Sequence, residues 1–210
     1  MLNLPAITLV CVDGRNNTEM IKPMLFSMKD ITFGAVKLFT IKKPDKLDKR
    51  IEHITIRPLG PRDYSTFMLK DLNSFVTTDY CMVMQFDGFV TNAELWTNEF
   101  LQYDYIGAPW PGGYYIGDCK VGNGGFSLRS KRLLEECQSC GVEASHPEDV
   151  WLCQWYHEHF VKKGFKFAPV GLAARFSVEL NGEHAKYTPN CSFGFHNFCG
   201  KDDIRKRLEN

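Results

Sequence analysis

The sequence has no surplus of charge of either sign. Its 25 Lys and Arg balance 25 Asp and Glu over 210 residues, for a formal net charge of zero. Without a basic excess there is little to neutralise a phosphate backbone, which argues against a nucleic-acid binder. Long apolar runs are missing too, and none approaches the roughly 20 residues a membrane-spanning helix needs. The first residues, MLNLPAITLVCVDGR, lack a basic leader and their apolar run has strand length. No signal peptide is read there, and a cytoplasmic setting is expected. The chain also lacks a P-loop and the GxGxxG of a dinucleotide fold. Cysteine is plentiful, at eight, but metal-type cysteine spacing is scarce. Cys137 and Cys140 form a lone CxxC, and Cys191 and Cys199 are too far apart to complete a zinc site. Cys11 and Cys81 lie inside apolar runs, where a thiol acts as a small hydrophobe. Reduced, structural thiols are the expectation.

The remaining composition, 44% hydrophobic and 24% charged, suits one globular domain, with or without a small extension. The chain is organised around residues 80–89, YCMVMQFDGF. Five apolar residues in a row suit a strand covered on both faces, as in a parallel sheet. The run ends in the polar tip Gln85-Phe86-Asp87-Gly88, and ligands of open α/β sheets bind at the carboxyl ends of strands. A carboxylate there can hold a divalent cation; a plain Asp-Gly turn is the bland alternative. Upstream, residues 7–12 read as a first strand ending at Asp13-Gly14-Arg15. Thr18 is placed to cap a helix bearing Met20, Met24, Leu25 and Met28, with Pro23 shortening or kinking it. Residues 35–41 and 53–59 read as second and third strands. Asp63 or Ser65 then opens a helix carrying Phe67, Leu69, Leu72 and Phe75. This order suggests a nucleotide-binding α/β half. Lys70, on that helix, is either a solvated lysine or a cation aimed at a diphosphate.

Past the central strand, Asn92 is placed to cap a helix through Tyr103. Trp110 and the following Pro111 to Tyr115 are dense in Gly, Pro and aromatics. Such a loop suits a sugar ring, with its apolar faces and polar edges, or is ordinary core packing. Asn123-Gly124-Gly125 lets backbone approach a ligand closely. Ser130 caps a helix through about Cys140. Ser145 and Glu148 have capping-box spacing, Pro147 suits the first helical position and Gly164 closes the far end. Glu148 and Asp149 therefore fall in a first turn, where the helix dipole favours carboxylates. Dipole complementarity explains both; a catalytic base is the sharper reading. Residues 165–170 read as a late strand, and residues 173–179 lead to a turn at Asn181-Gly182. His196 stands between aromatics, more in the manner of a packed side chain than a ligand. Residues 201–210 form a charged tail, a helix end or a link to more protein.

Several stretches together resemble one family. QFDGF, YDYIGAPW, VGNGGFSLRS, PEDVWLC and FGFH stand in this order between Ile7 and His196. The set is similar to small GT-A-type glycosyltransferase domains of viruses and bacteria, and resembles the N-terminal domain of a chlorovirus glycosyltransferase that builds capsid-protein glycans. The resemblance implies an α/β fold: a GT-A-like αβα sandwich with a mostly parallel central sheet and a Rossmann-like nucleotide-binding half. It implies one glycosyltransferase domain over residues 1–210, which leaves open whether the chain is part of a longer one. Residues up to about 90 form the nucleotide-binding half, about 91–200 the donor-sugar and acceptor half, and 201–210 the tail.

The family's Asp-x-Asp falls on Gln85-Phe86-Asp87, so an amide replaces the first carboxylate. The implied metal set is Asp87, His196 and Gln85, with Mn²⁺ or Mg²⁺ as cofactor and the load shifted towards Asp87. The implied donor set is Val12, Asp13, Arg15, Lys70, Phe86, Asn123, Gly124 and Gly125. Trp110 and Glu148 fall on the acceptor side, and Asp149 matches the base of inverting members. The implied activity is transfer of a sugar from a nucleotide-sugar, UDP-linked by family habit, to a hydroxyl of a glycan acceptor. If the protein is viral, the expected setting is the host cytoplasm, in capsid-protein glycosylation. Two alternatives stand beside it: a non-catalytic nucleotide-sugar binder, motivated by Gln85, and a metal-dependent nucleotide-sugar hydrolase.

Overall fold

A computed structural model describes residues 1–15, 19–110, 118–179, 191–197 and 208. Thr18, residues 111–115, the Asn181-Gly182 turn, Cys199 and the tail apart from Leu208 lie outside the described residues.

Strand β1 (Leu2–Asp13) is followed by helix α1 (Ile21–Ser27), β2 (Ile31–Thr40) and β3 (Glu52–Thr55). Helix α2 (Pro61–Thr66) widens into a π turn (Phe67–Asp71) and tightens into a 3₁₀ turn (Leu72–Phe75) before β4 (Tyr80–Met84). Then come β5 (Gly88–Val90), two 3₁₀ turns (Ala93–Leu95 and Asn98–Gln102), β6 (Tyr105–Ile106) and β7 (Ser127–Ser130). Helix α3 (Lys131–Ser139) leads to α4 (Glu148–Val150), a π turn (Trp151–Trp155) and α5 (His157–Lys162). Helix α6 (Val170–Phe176), β8 (Ser177–Val178) and β9 (Gly194–His196) complete the described elements.

Six strands form the main sheet in the order β3-β2-β1-β4-β7-β6. β3, β2, β1 and β4 run parallel, and β7 is antiparallel to both β4 and β6. Side chains that alternate along a strand enter opposite faces. Leu9 and Cys11 of β1 join one apolar cluster while Val10 and Val12 join a second. Met82 and Met84 of β4 divide from Cys81 and Val83 in the same way. The sheet is therefore buried on both faces, which is why its strands read as continuous apolar runs. A smaller sheet, β5-β9-β8, sits beyond the end of β4.

From β1 the chain steps outward to β2 and β3, then returns to place β4 on the other side of β1. A crevice opens at the carboxyl ends of strands where the order reverses in this way.

Several expected boundaries move. β2 starts earlier, at Ile31. β3 stops at Thr55, and the chain then runs extended until Leu59 N–H reaches the Gly14 carbonyl at 3.2 Å. Pro23 lies in the first turn of α1, where its missing N–H has no helical acceptor, so it neither breaks nor shortens the helix. Gly60 precedes α2 with Pro61 at its first position, so neither Asp63 nor Ser65 opens it. Asn92 caps no helix with its side chain; two 3₁₀ turns follow, and Thr97 caps the second through Glu99 N–H at 3.3 Å. Ser130 caps α3 as expected, accepting from Leu133 N–H at 3.2 Å. Pro147 is the N-cap of α4, one place before the expected position, and no side chain caps that end. Residues 165–170 form no strand. Phe167 makes a single bridge to Tyr105, and Leu172, Ala173, Ala174 and Phe176 are buried from a helix. Gly164 ends α5 with φ +81°. Seven cysteines are free thiols among the described residues. No helix among those residues is long and apolar enough to cross a membrane.

Candidate functional site

A cavity of about 400 Å³ occupies the crevice between the ends of β1 and β4. One wall is Val12, Asp13, Gly14 and Arg15, where β1 ends. Gly60, Pro61 and Tyr64 of the α2 start form a second, Gln85 and Phe86 a third. Asn123, Gly124 and Gly125 line it with His146 to Asp149, and His196 closes it from β9.

Gln85 and Gly88 close a two-residue hairpin, Gln85 N–H to Gly88 carbonyl at 3.0 Å and Gly88 N–H to Gln85 carbonyl at 3.2 Å. The hairpin turns the chain from β4 into β5, and β5 pairs with β9 so that Gly88 faces His196. His196 Nδ1 lies 2.9 Å from Glu179 Oε1. A carboxylate only accepts, so Nδ1 carries the proton. Nε2 then faces Gln85 Oε1 at 3.3 Å and Asp87 Oδ1 at 3.7 Å. Burial alone would lower the His196 pKa. The bond to Glu179 and the charges of Glu179, Asp87 and Asp149 outweigh it and raise the pKa overall. Asp87 Oδ1 is buried without a hydrogen-bond partner, and such an oxygen calls for an ion or water. Among the described residues no three His, Cys, Asp or Glu side chains are grouped to hold a metal ion. The set here is one carboxylate, one imidazole and one amide. The orphaned Asp87 oxygen beside an imidazole nitrogen and an amide oxygen fits a divalent cation of mixed oxygen and nitrogen preference.

The glycine loop faces this group. A Cβ on Gly125 would stand 2.0 Å from His196 Nε2, so only glycine admits the ring there. Gly124 N–H donates to Asp149 Oδ2 at 3.1 Å, and Val150 N–H donates to Asp149 Oδ1 at 2.9 Å. Two backbone donors thus fix the Asp149 carboxylate. Asn123 adopts φ 66° with its side chain buried, and its Nδ2 has no partner. Beneath the loop lies Arg129, buried to 1% exposure. Its Nη2 reaches Glu148 Oε1 at 3.3 Å and the Gly124 carbonyl at 3.4 Å, and its Nε donates to Ser127 Oγ at 3.1 Å. Burial, then the charge of Asp149, push the Glu148 carboxyl upward, and Arg129 opposes them.

Of the residues the sequence nominates, eleven line one cavity: Val12, Asp13, Arg15, Gln85, Phe86, Asn123, Gly124, Gly125, Glu148, Asp149 and His196. Asp87 lies behind that wall against His196. Lys70 is not brought there. Its Nζ donates to the Cys137 carbonyl at 2.5 Å and sits 5.6 Å over the Trp151 ring, between the π turn and α3. Trp110 is also outside the lining, its ring packed where a Cβ on Gly122 would stand, 2.0 Å from it. Sequence reasoning passed over Tyr64, Glu179 and His146. The Tyr64 hydroxyl accepts from Gln85 Nε2 at 3.0 Å, and His146 Nδ1 meets Ser65 Oγ at 2.9 Å. Nothing local marks them, because each matters through a partner far along the chain.

Solved structures share this architecture. A glycosyltransferase involved in glycosylation of the major capsid of PBCV-1 superposes with a TM-score of 0.54 at 12% identity, over 97% of this chain and 99% of that one. The galactosyltransferase LgtC, in complex with donor and acceptor sugar analogues, gives 0.55 at 12% identity, over 92% of this chain and 87% of that one. A mannosyltransferase from Pyrobaculum calidifontis, in complex with GDP-Man and Mn²⁺, gives 0.50 at 12% identity, over 78% of this chain and 55% of that one. What they share with this chain is the fold, a GT-A-like α/β sandwich. No curated protein matches the sequence. The family described as "Protein of unknown function (DUF5672)" matches residues 52–196, and the chain belongs to it.

Proposed function

We propose that this chain is a metal-dependent, inverting glycosyltransferase of the hexosyltransferase type. It moves a sugar from a nucleotide-sugar, with UDP favoured, to a hydroxyl of a growing glycan. The observation that carries the reading is the composition of the cavity at the switch point of the sheet. It is lined by Gln85 and His196 with Asp87 behind them, and by Asp149 held on the Gly124 amide. The shared fold supports it, and the PBCV-1 enzyme's part in glycosylation of a major capsid is the one pointer towards capsid-protein glycosylation as the setting. The Mn²⁺ in the mannosyltransferase complex supports a metal.

Asp87 Oδ1, His196 Nε2 and Gln85 Oε1 would hold the cation, with Mn²⁺ suited better than Mg²⁺ by the imidazole. When bound, it would neutralise charge developing on the leaving nucleoside diphosphate. The residues up to about 90 hold the nucleotide, with Val12, Asp13, Arg15 and Phe86 along it. The backbone of Asn123 to Gly125 lies along the donor sugar, and Glu148 on the acceptor side. Asp149 takes the proton of the acceptor hydroxyl as that oxygen bonds to the anomeric carbon. The bond from that carbon to the diphosphate breaks, and the electron pair leaves with the nucleotide. A positioned base of this kind contributes about 10²–10⁴-fold. One observation favours a non-catalytic binder instead: the neutral amide at Gln85.

The test supplies UDP-sugars, Mn²⁺ and glycan acceptors and reads the product anomer by NMR. We expect inversion, and loss of about 10²-fold or more in Asp149→Asn. A retained anomer overturns the base assignment. Donor binding without turnover, unaffected by Asp149→Asn, establishes the binder.

A further inference from the structure

Gln85 differs from a carboxylate in one respect that bears on any cation beside it. A carboxylate presents two equivalent oxygens. An amide presents one oxygen that attracts a cation and one NH₂ that repels it, so the amide must be oriented. Orientation is a matter of hydrogen-bond partners. Here Gln85 Nε2 donates to the Tyr64 hydroxyl at 3.0 Å, which turns Oε1 towards His196. Tyr64 is held in α2, and burial keeps its phenol protonated. The Gln85 backbone is pinned independently by its hairpin. On the far side, Glu179 accepts a hydrogen bond from Nδ1–H of His196, which leaves Nε2 facing Asp87 and Gln85. A chain of contacts therefore runs Tyr64, Gln85, His196, Glu179, with the orphaned Asp87 oxygen beside its middle.

We propose that Tyr64 and Glu179 are positioning residues for a divalent-cation centre at Gln85, Asp87 and His196, Tyr64 by fixing the amide oxygen inward and Glu179 by fixing the imidazole. This rests on the reading of the cavity as a metal-dependent donor site. Neither residue touches the cation. Each sets which atom its neighbour presents, as outer partners of metal ligands do. Tyr64 matters because the ligand is an amide; with a carboxylate at the same place its orienting role disappears.

The test is a titration of the full chain with Mn²⁺, alone and with UDP, read by the EPR signal of free Mn²⁺. Tyr64→Phe removes only a hydroxyl and is expected to weaken Mn²⁺ binding by about 10-fold. The same change in a Gln85→Glu background, where both oxygens are alike, is expected to cost about 2-fold or less. Glu179→Ala is expected to lose about 10-fold, and Glu179→Gln, which keeps an acceptor for Nδ1–H, to recover most of that. Equal losses from Tyr64→Phe in both backgrounds show a packing role and overturn the orienting role. So does no loss in either. If the wild-type chain holds no Mn²⁺ with UDP present, the metal-dependent reading fails and takes this inference with it. If the wild-type chain binds and Tyr64→Phe binds equally well, the orienting role alone falls.

Discussion

Replacing Arg129 by Met isolates what a buried charge does beneath the glycine loop. Arg129 is 1% exposed, and its guanidinium meets Glu148, the Gly124 carbonyl and Ser127. Met retains much of the stem but leaves Glu148 as a buried carboxylate without a cation. Breaking a buried pair from one side costs about 3–5 kcal/mol. With an unfolding entropy of about 2.1 cal/mol/K per residue, that is a fall of roughly 7–11 °C in Tm for a chain of this length. The loss carries a pH signature. Glu148 already has a folded pKa raised above the ordinary value of 4.5. A raised carboxyl binds protons more tightly folded than unfolded, so its contribution is fully favourable below 4.5 and declines as pH rises towards the folded value. Removing Arg129 raises that folded value further and extends the decline. Calorimetry should therefore show a larger Tm deficit at about pH 8 than at about pH 5, and Arg129→Met with Glu148→Gln should recover most of it. An equal deficit at both pH values, or a double variant no more stable than Arg129→Met, refutes the uncompensated carboxylate as the cause.

Gly125→Ala puts a Cβ 2.0 Å from His196 Nε2, so UDP with Mn²⁺ should no longer raise Tm although the ligand-free chain still melts cooperatively. Lys70→Met loses the bond to the Cys137 carbonyl and should lower stability by about 1 kcal/mol in urea. UDP affinity should not change in that variant; a tenfold loss would put the Lys70 amine in the cleft. Ser130→Ala removes the α3 cap and the bond to Asp104 Oδ1 at 2.6 Å, for an expected loss of about 1–2 kcal/mol by urea unfolding.

What the sequence disclosed follows from how locally each feature is encoded. The central strand reads correctly at Tyr80–Met84 because it is covered on both faces and needs no alternation to be recognised. The α3 cap reads correctly because Ser130 acts within one turn. Residues 165–170 misread because Phe and Val suit either strand or loop, and the burial of Ala173 and Phe176 against the core decided for a helix after Pro169. The capping box at Ser145 and Glu148 is absent because Glu148 is drawn down to Arg129 instead. In the cavity, glycines and acidic pairs announce themselves, whereas Tyr64 and Glu179 become visible only once Gln85 and His196 are folded against them. Lys70 shows the reverse: its place ahead of the central strand leaves a solvated amine and a diphosphate contact equally open, and in the folded chain the amine donates to the Cys137 carbonyl instead.

The clasp made by β9 sets an order of assembly. Gln85 and His196 are 111 residues apart, and β9 joins both β5 and β8 while Asn197 N–H holds the Asp87 carbonyl at 2.9 Å. Closing a loop of that length costs about 4 kcal/mol in chain entropy. The strand pairings of the six-stranded sheet do not depend on that closure, since none of its strands comes from beyond Ser130. A nascent chain can therefore build its scaffold first and remain without the His196 side of the cavity until residue 196 has left the ribosome. In the finished protein, local opening of β9 would dismantle the cavity without breaking a strand pairing of the main sheet, but it would draw Phe193 and Phe195 out of the core, so the lifetime of the site is tied to the packing of one sheet face.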